Sequence, residues 1–227
     1  MMGVMMPVAQ NGFSLAAIAA IVLSAPAAGA AQSVDQLTPH QVKVEAATYR
    51  GKTAVKITED GAVANGEAYA IVKGADFHDG DIEVELAGMP AKGAGEGARG
   101  FIGVAFRVKD GKFEYIYLRP TNGRAEDQVR RNHSTQYGQH PDYDFARLRK
   151  ESPEKYESYV DLEPGVWTRI RIAVQGTTAR LFVHGAPQPA LVVTDLKLGD
   201  STGAVALWIG PGTEGYFTGL QVRPAKP

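Results

Sequence analysis

The side chains best suited to chemistry gather in residues 119–163, where the alternation of the flanking segments stops. A connection in a small domain is normally about 4 to 6 residues long, and much longer excursions that are not disordered usually carry function. This one is too aromatic for a solvated linker. Asp127 is a candidate carboxylate. His133 and Tyr137, four residues apart, are candidates for moving a proton near neutral pH, so within this segment the candidate catalytic residues are Asp127, His133 and Tyr137. Arg119, Arg124, Arg130 and Arg131 present fixed pairs of donors, while Asn122 and Asn132 offer both a donor and an acceptor. With His140, they form a set suited to a polar, ring-shaped ligand, and the arginines would also suit a ligand carboxylate. The structural alternative is that Arg and Asp in one long loop pair with each other and simply pin it. His133 and His140 lack any His-x-His or His-Glu-x-x-His spacing, so no metal site is expected.

Two further motifs carry chemical potential. Asp81, Glu83 and Glu85 put three carboxylates on one face of a strand. Such a set can perform glycosidic acid–base work, or it can simply be the wet face of a sheet. Gly95-Glu-Gly-Ala-Arg-Gly100 satisfies a dinucleotide-binding pattern, but a strand follows it where a helix N-terminus would have to stand, so it reads as a flexible turn.

The elements that must position these residues are strands. Short β-branched or alternating runs recur between Gly, Asp and Asn turn signals at 42–46, 54–58, 68–72, 81–86, 101–108, 113–118, 167–174, 179–183, 191–194, 204–209 and 216–222. Asp110-Gly111 supplies the positive φ of a tight hairpin between the fifth and sixth runs, and 175–178 joins a second hairpin. The expected fold is all-β, a two-sheet antiparallel jelly-roll sandwich with a long, partly helical insert at 119–163. Within the insert, a short helix near 143–150 buries Phe145 and Leu148, and Ser152-Pro153-Glu154 starts another. Alternation places Ile102, Val104, Phe106, Val108, Ile116 and Leu118 in the core. The opposite face then carries Ala105, Arg107, Phe113, Tyr115, Tyr117 and Arg119, with Trp208 likewise opposite Val205, Leu207 and Ile209. Arg107, Tyr115, Tyr117, Arg119 and Trp208 become candidate ligand contacts, with the insert folded over them as a roof.

Composition limits the partners. The net charge of −1 gives no overall positive field for a polyanion, which excludes nucleic acid. The absence of Cys removes disulfides, thiolate nucleophiles and zinc–thiolate sites. No charged side chain precedes Asp35, and the apolar run at 13–23 is too short to span a bilayer. Followed by Ala28-Gly29-Ala30, it reads as a signal peptide over 1–30 that is cleaved after Ala30, although no Lys or Arg precedes the run. That leaves 31–227 as a single periplasmic or secreted domain with no membrane attachment.

Trp167-Thr-Arg-Ile-Arg-Ile-Ala-Val, Ala179-Arg-Leu-Phe-Val-His-Gly185, Gly203-Ala-Val-Ala-Leu-Trp-Ile and Gly215-Tyr-Phe-Thr-Gly-Leu-Gln-Val occur in an order that resembles the C-terminal half of a concanavalin A-like lectin/glucanase domain. The similarity covers roughly 66–223 and extends to laminin-G-like domains and the secreted bacterial 3-keto-disaccharide hydrolase-like domains. It implies an oligosaccharide or polysaccharide bound on the concave sheet, with binding better supported than turnover. Turnover would be glycoside hydrolysis using Asp127 or the Asp81/Glu83/Glu85 set, which matches the family-sixteen glucanase motif only with Glu and Asp reversed. The alternatives are a polysaccharide lyase using His133 and Tyr137 on a uronate-containing glycan, and a laminin-G-like protein-binding module. No cofactor is called for; the resemblance allows calcium, but no residue pattern indicates it.

Overall fold

The computed structural model describes residues 1–3, 33–61 and 66–225; the expected leader lies outside them except for its first three residues. The strands in chain order are β1 (Leu37–His40), β2 (Val42–Tyr49), β3 (Lys52–Glu59), β4 (Tyr69–Phe77), β5 (Gly80–Pro90), β6 (Ile102–Lys109) and β7 (Lys112–Leu118). They continue with β8 (Thr135–His140), β9 (Glu157–Ser158), β10 (Thr168–Gln175), β11 (Thr178–Val183), β12 (Leu191–Val193), β13 (Gly203–Ile209) and β14 (Thr213–Pro224). Two short helices, α1 (Gln128–Asn132) and α2 (Phe145–Glu151), lie between β7 and β9. One sheet has the order β1-β4-β13-β6-β7-β8-β9 and the other β12-β11-β10-β5-β14-β3-β2. Every strand pairing is antiparallel.

All eleven expected runs are strands, and the two expected hairpins close as read. Asp110 and Gly111 adopt φ of 50° and 73°, the positive values a two-residue turn between β6 and β7 requires. Between the sheets lies the main core, with Ile102, Val104, Phe106, Ile116 and Leu118 from the first hairpin and Val205, Leu207 and Ile209 from β13. Ile170, Ile172 and Val174 face them from the second sheet, with Arg169 on the opposite, exposed face.

The expected alternation breaks at one point. Val108 packs with the cluster on the outer face of the first sheet, because a bulge adds a residue to β6: Ala105 pairs with Ala206, whereas Val108 pairs with Ala204. Arg107 sits in the bulge with φ of 54° and is 1% exposed, so it does not join the aromatic face as expected. Its Nε and Nη2 donate to His78 O at 3.1 and 2.9 Å, Nη1 to Gly199 O at 2.7 Å, and Nη2 also to Gly176 O at 2.8 Å and Asp79 Oδ1 at 3.1 Å. One guanidinium thus ties together the β4–β5 turn, the β10–β11 turn and the segment before β13.

The insert also departs from expectation. Instead of roofing the sheet, it widens it: β8 pairs with β7 from Phe113 to Leu118, and β9 pairs with the start of β8. The unpaired N–H and C=O groups along the far edge of β7 make this the favourable course. Within α2, Leu148 is buried as read, but Phe145 is 45% exposed, and 152–155 forms a turn, not a second helix.

Removing the Arg107 guanidinium leaves several buried carbonyls and Asp79 without their donor. Arg107→Ala should therefore lower unfolding free energy by about 3 kcal/mol. Urea denaturation measures this, and a loss under about 1 kcal/mol would contradict the role given to the side chain.

Candidate functional site

The first sheet carries a second apolar cluster on the face turned away from the core, comprising Tyr69, Ala105, Val108, Phe113, Tyr117, Ala206 and Trp208. Its geometry follows from strand order and residue size. β6 lies between β13 and β7 and contributes only Gly103 and Ala105 to the ring-bearing part of this face. Gly103 is paired with Trp208 on one side and Tyr117 on the other, so those two rings meet across it, with centroids 4.9 Å apart. A Cβ on Gly103 would come within 2.7 Å of the Tyr117 side chain. Tyr115 stacks on Tyr117 at 5.5 Å with planes 9° apart, and lies 5.1 Å from Trp208. On its other flank Tyr115 faces Gly138 of β8, where a Cβ would fall 2.6 Å from the ring.

Above these rings is a cleft of about 970 Å³. Tyr115, Tyr117 and Trp208 form its floor, and Phe101 and Phe145 contribute to its sides. The turn containing Gly95, Gly97 and Ala98 forms one wall together with Pro211 and Gly212. Thus the glycine pattern with no nucleotide to hold supplies a cleft wall. Polar groups come from Glu67, Gln139, His140 and Asp144. Trp208 is held by its Nε1 donating to Gly66 O at 2.8 Å. The His140 ring stacks on Phe113 at 4.8 Å, and its Nε2 lies 3.3 Å from Glu67 Oε1. The Tyr115 hydroxyl has no hydrogen-bond partner among the described residues; burial and the neighbouring Tyr117 and Asp144 raise its pKa, so it is a neutral donor at physiological pH.

Of the residues singled out in the sequence, Tyr115, Tyr117, His140 and Trp208 line this cleft. The arginines do not, because each is engaged by its own chain. Arg119 lies buried behind Tyr117, donating to its hydroxyl at 3.0 Å, to Gln136 Oε1 at 3.0 Å, to His133 O at 3.2 Å and to Glu157 Oε1 at 2.8 Å. Arg124 pairs with Asp161 and Glu163, Arg130 bonds Asn122 and Thr121, and Arg131 donates to Ala125 O. Asn122 is itself buried and donates to His133 O, while Asn132 is exposed at the end of α1. For these residues the pinning interpretation describes the structure.

The three candidate catalytic residues do not come together. Asp127 caps α1 by accepting from Arg130 N at 2.9 Å. His133 is buried beside Glu154, its Nε2 2.9 Å from Oε1. Tyr137 is in the main core, donating to Glu114 Oε2 at 2.6 Å and accepting from Lys197 N at 2.8 Å. Burial raises the pKa of both Glu114 and Tyr137, and the pair closes the segment before β13 onto β7 and β8. Asp81, Glu83 and Glu85 belong to the other sheet, where they pair across strands with Arg171, with Arg169 and Arg223, and with Lys52. His78, Asp79 and Asp200 bring ligand atoms within 4.8 Å of one another, but Arg107 already places its positive charge 3.1 Å from Asp79, and none of the three lines the cleft.

The sequence did not mark Glu67, Phe101, Gln139, Asp144 or Phe145 as ligand contacts. Phe101 heads the run at 101–108 on the face opposite Ile102, so alternation could have added it to the aromatic face; Glu67 precedes a strand, where alternation assigns no face, and Asp144 is legible only as a helix cap, which it is, accepting from Arg147 N at 2.8 Å.

No family model matches the chain, and no curated protein does. Among solved structures, carbohydrate binding module CBM66 from Bacillus subtilis is similar with a TM-score of 0.55 at 10% identity, covering 82% of this chain and 93% of that one. Cellulose induced protein Cip1 is similar with a TM-score of 0.50 at 10% identity, covering 86% and 95%. At these identities the likeness is one of fold.

Two outcomes test the site's construction. Gly138→Ala should push the Tyr115 ring off its seat, changing near-ultraviolet circular dichroism at a cost of about 1–3 kcal/mol; an unchanged aromatic spectrum would contradict this packing. Arg149 and Arg119 hold the Glu157 carboxyl below its usual range despite its burial. The stabilisation this provides is complete above the unfolded pKa of about 4.3 and is lost as pH falls through the lower folded value. The melting temperature of Glu157→Gln should therefore lie well below wild type at pH 6, with the gap narrowing toward pH 3.

Proposed function

We propose that this chain is a carbohydrate-binding sandwich of the concanavalin A-like kind, which holds an oligosaccharide or a segment of polysaccharide on the Tyr115–Tyr117–Trp208 floor. The observation that carries this reading is the coincidence of an aromatic floor and a polar rim in one open cleft of about 970 Å³. Pyranose rings have apolar C–H faces and hydroxyl edges, so they match flat aromatic faces below and amide, carboxylate and imidazole groups at the sides. The volume is at the upper end of the roughly 300–1,000 Å³ of small-molecule sites, enough for more than one ring. The similarity in fold to a carbohydrate binding module is consistent with this reading.

Binding is proposed over turnover because Asp127, His133 and Tyr137 have structural partners outside the cleft. The charge-free leader and Ala28-Gly29-Ala30 support action in the periplasm or outside the cell.

Calorimetry against a panel of neutral and charged oligosaccharides tests the proposal. Dissociation constants between micromolar and millimolar are expected, corresponding to about −8 to −4 kcal/mol. Tyr115→Ala should weaken binding roughly tenfold, whereas Tyr115→Phe, which keeps the stacking face, should lose less. No heat with any glycan at millimolar concentration would refute the reading, and release of reducing ends would refute the restriction to binding.

A further inference from the structure

The ionisable groups around the cleft are strongly one-sided. Glu67, Asp144 and His140 line it, and among the described residues no lysine or arginine does. Of the nearby guanidinium groups, Arg119 and Arg149 both pair with Glu157, and Arg99, which does not line the cleft, donates to the carbonyls of Glu96 and Ala98. One oxygen of Asp144 accepts from Arg147 N, and the other has no partner among the described residues. Glu67 is held in place, with Oε2 accepting from Gln41 Nε2 at 2.8 Å and Oε1 facing His140. Between these acids lie the electron-rich faces of Tyr115, Tyr117 and Trp208, which attract cations.

Resting on the reading of the cleft as a glycan site, we infer that it selects sugars bearing a free, protonated amine and disfavours uronates. An ammonium group would find the open oxygen of Asp144, the Glu67 carboxylate and aromatic faces within the same cleft. A uronate carboxylate would meet two like charges and, among the described residues, no lysine or arginine lining the cleft to neutralise it. Acetylation of the amine removes its charge and should therefore remove the advantage.

The test is calorimetry at low salt and about pH 6 with four oligomers of equal length: glucosamine, N-acetylglucosamine, glucose and galacturonate. The glucosamine oligomer should bind about tenfold or more tightly than the glucose oligomer, a margin typical of charge-assisted contacts, with the galacturonate oligomer weakest. In a Glu67→Gln/Asp144→Asn double variant the ratio of glucosamine to glucose affinity should fall to about one; Asn remains a competent helix cap, and a thermal melt confirms folding. Equal binding of the charged and neutral oligomers, a preference for galacturonate, or a preference that survives in the folded double variant would each overturn the inference while leaving glycan binding standing. Silence with all four would overturn the inference, while the glycan reading would stand or fall on the wider panel.

Discussion

The outer face of the first sheet depends on a difference in size between neighbouring strands. Large rings cannot sit directly opposite each other on three adjacent strands about 4.8 Å apart without crowding. Here the middle strand, β6, offers only a hydrogen at Gly103 and a methyl at Ala105 between the rings of β13 and β7. The vacant width is filled from both sides, by Trp208 from one and by Tyr117 and Tyr115 from the other. Any side chain at residue 103 would separate those rings, and the floor of the cleft would cease to be continuous.

The remaining parts hold that arrangement in register. The β6 bulge turns Arg107 away from the rings and into a cage of backbone carbonyls, fixing the loops at one end of the sandwich. At the other end Arg119 braces Tyr117 from behind and is itself held by Glu157. Both arginines are buried, so their value lies in satisfying many acceptors at once in one geometry. The sheet is thus fixed by polar clamps beneath an apolar working face.

Most of the framework could be read from the chain. Period-two alternation locates eleven strands, and Asp110-Gly111 identifies the central hairpin, because both signals are local. The aromatic face was legible for the same reason: Tyr115, Tyr117 and Trp208 alternate with core residues on strands of clear pattern. Arg107 was misplaced because one extra residue in β6 breaks the alternation without changing composition. The arginines of 119–163 looked like ligand contacts because their type was visible and their partners, such as Glu157 for Arg119 and Asp161 for Arg124, were not. β8 escaped notice because Thr135–His140 is mostly polar, and it becomes a strand through the free edge of β7. The acids of the cleft come from separate elements, and only the packed chain brings Glu67 toward Asp144.

The far sheet presents a lattice of alternating charge, in which Asp81, Glu83 and Glu85 interlock with Arg169, Arg171, Arg223 and Lys52. Its charges alternate in sign, which gives a polyelectrolyte no single-signed stripe to follow, and beside them Tyr49 stacks on Tyr216 at 3.9 Å with Trp167 edge-on. The two outer faces thus differ in kind: the first sheet's is lined by rings, and the second's is ruled by paired charges.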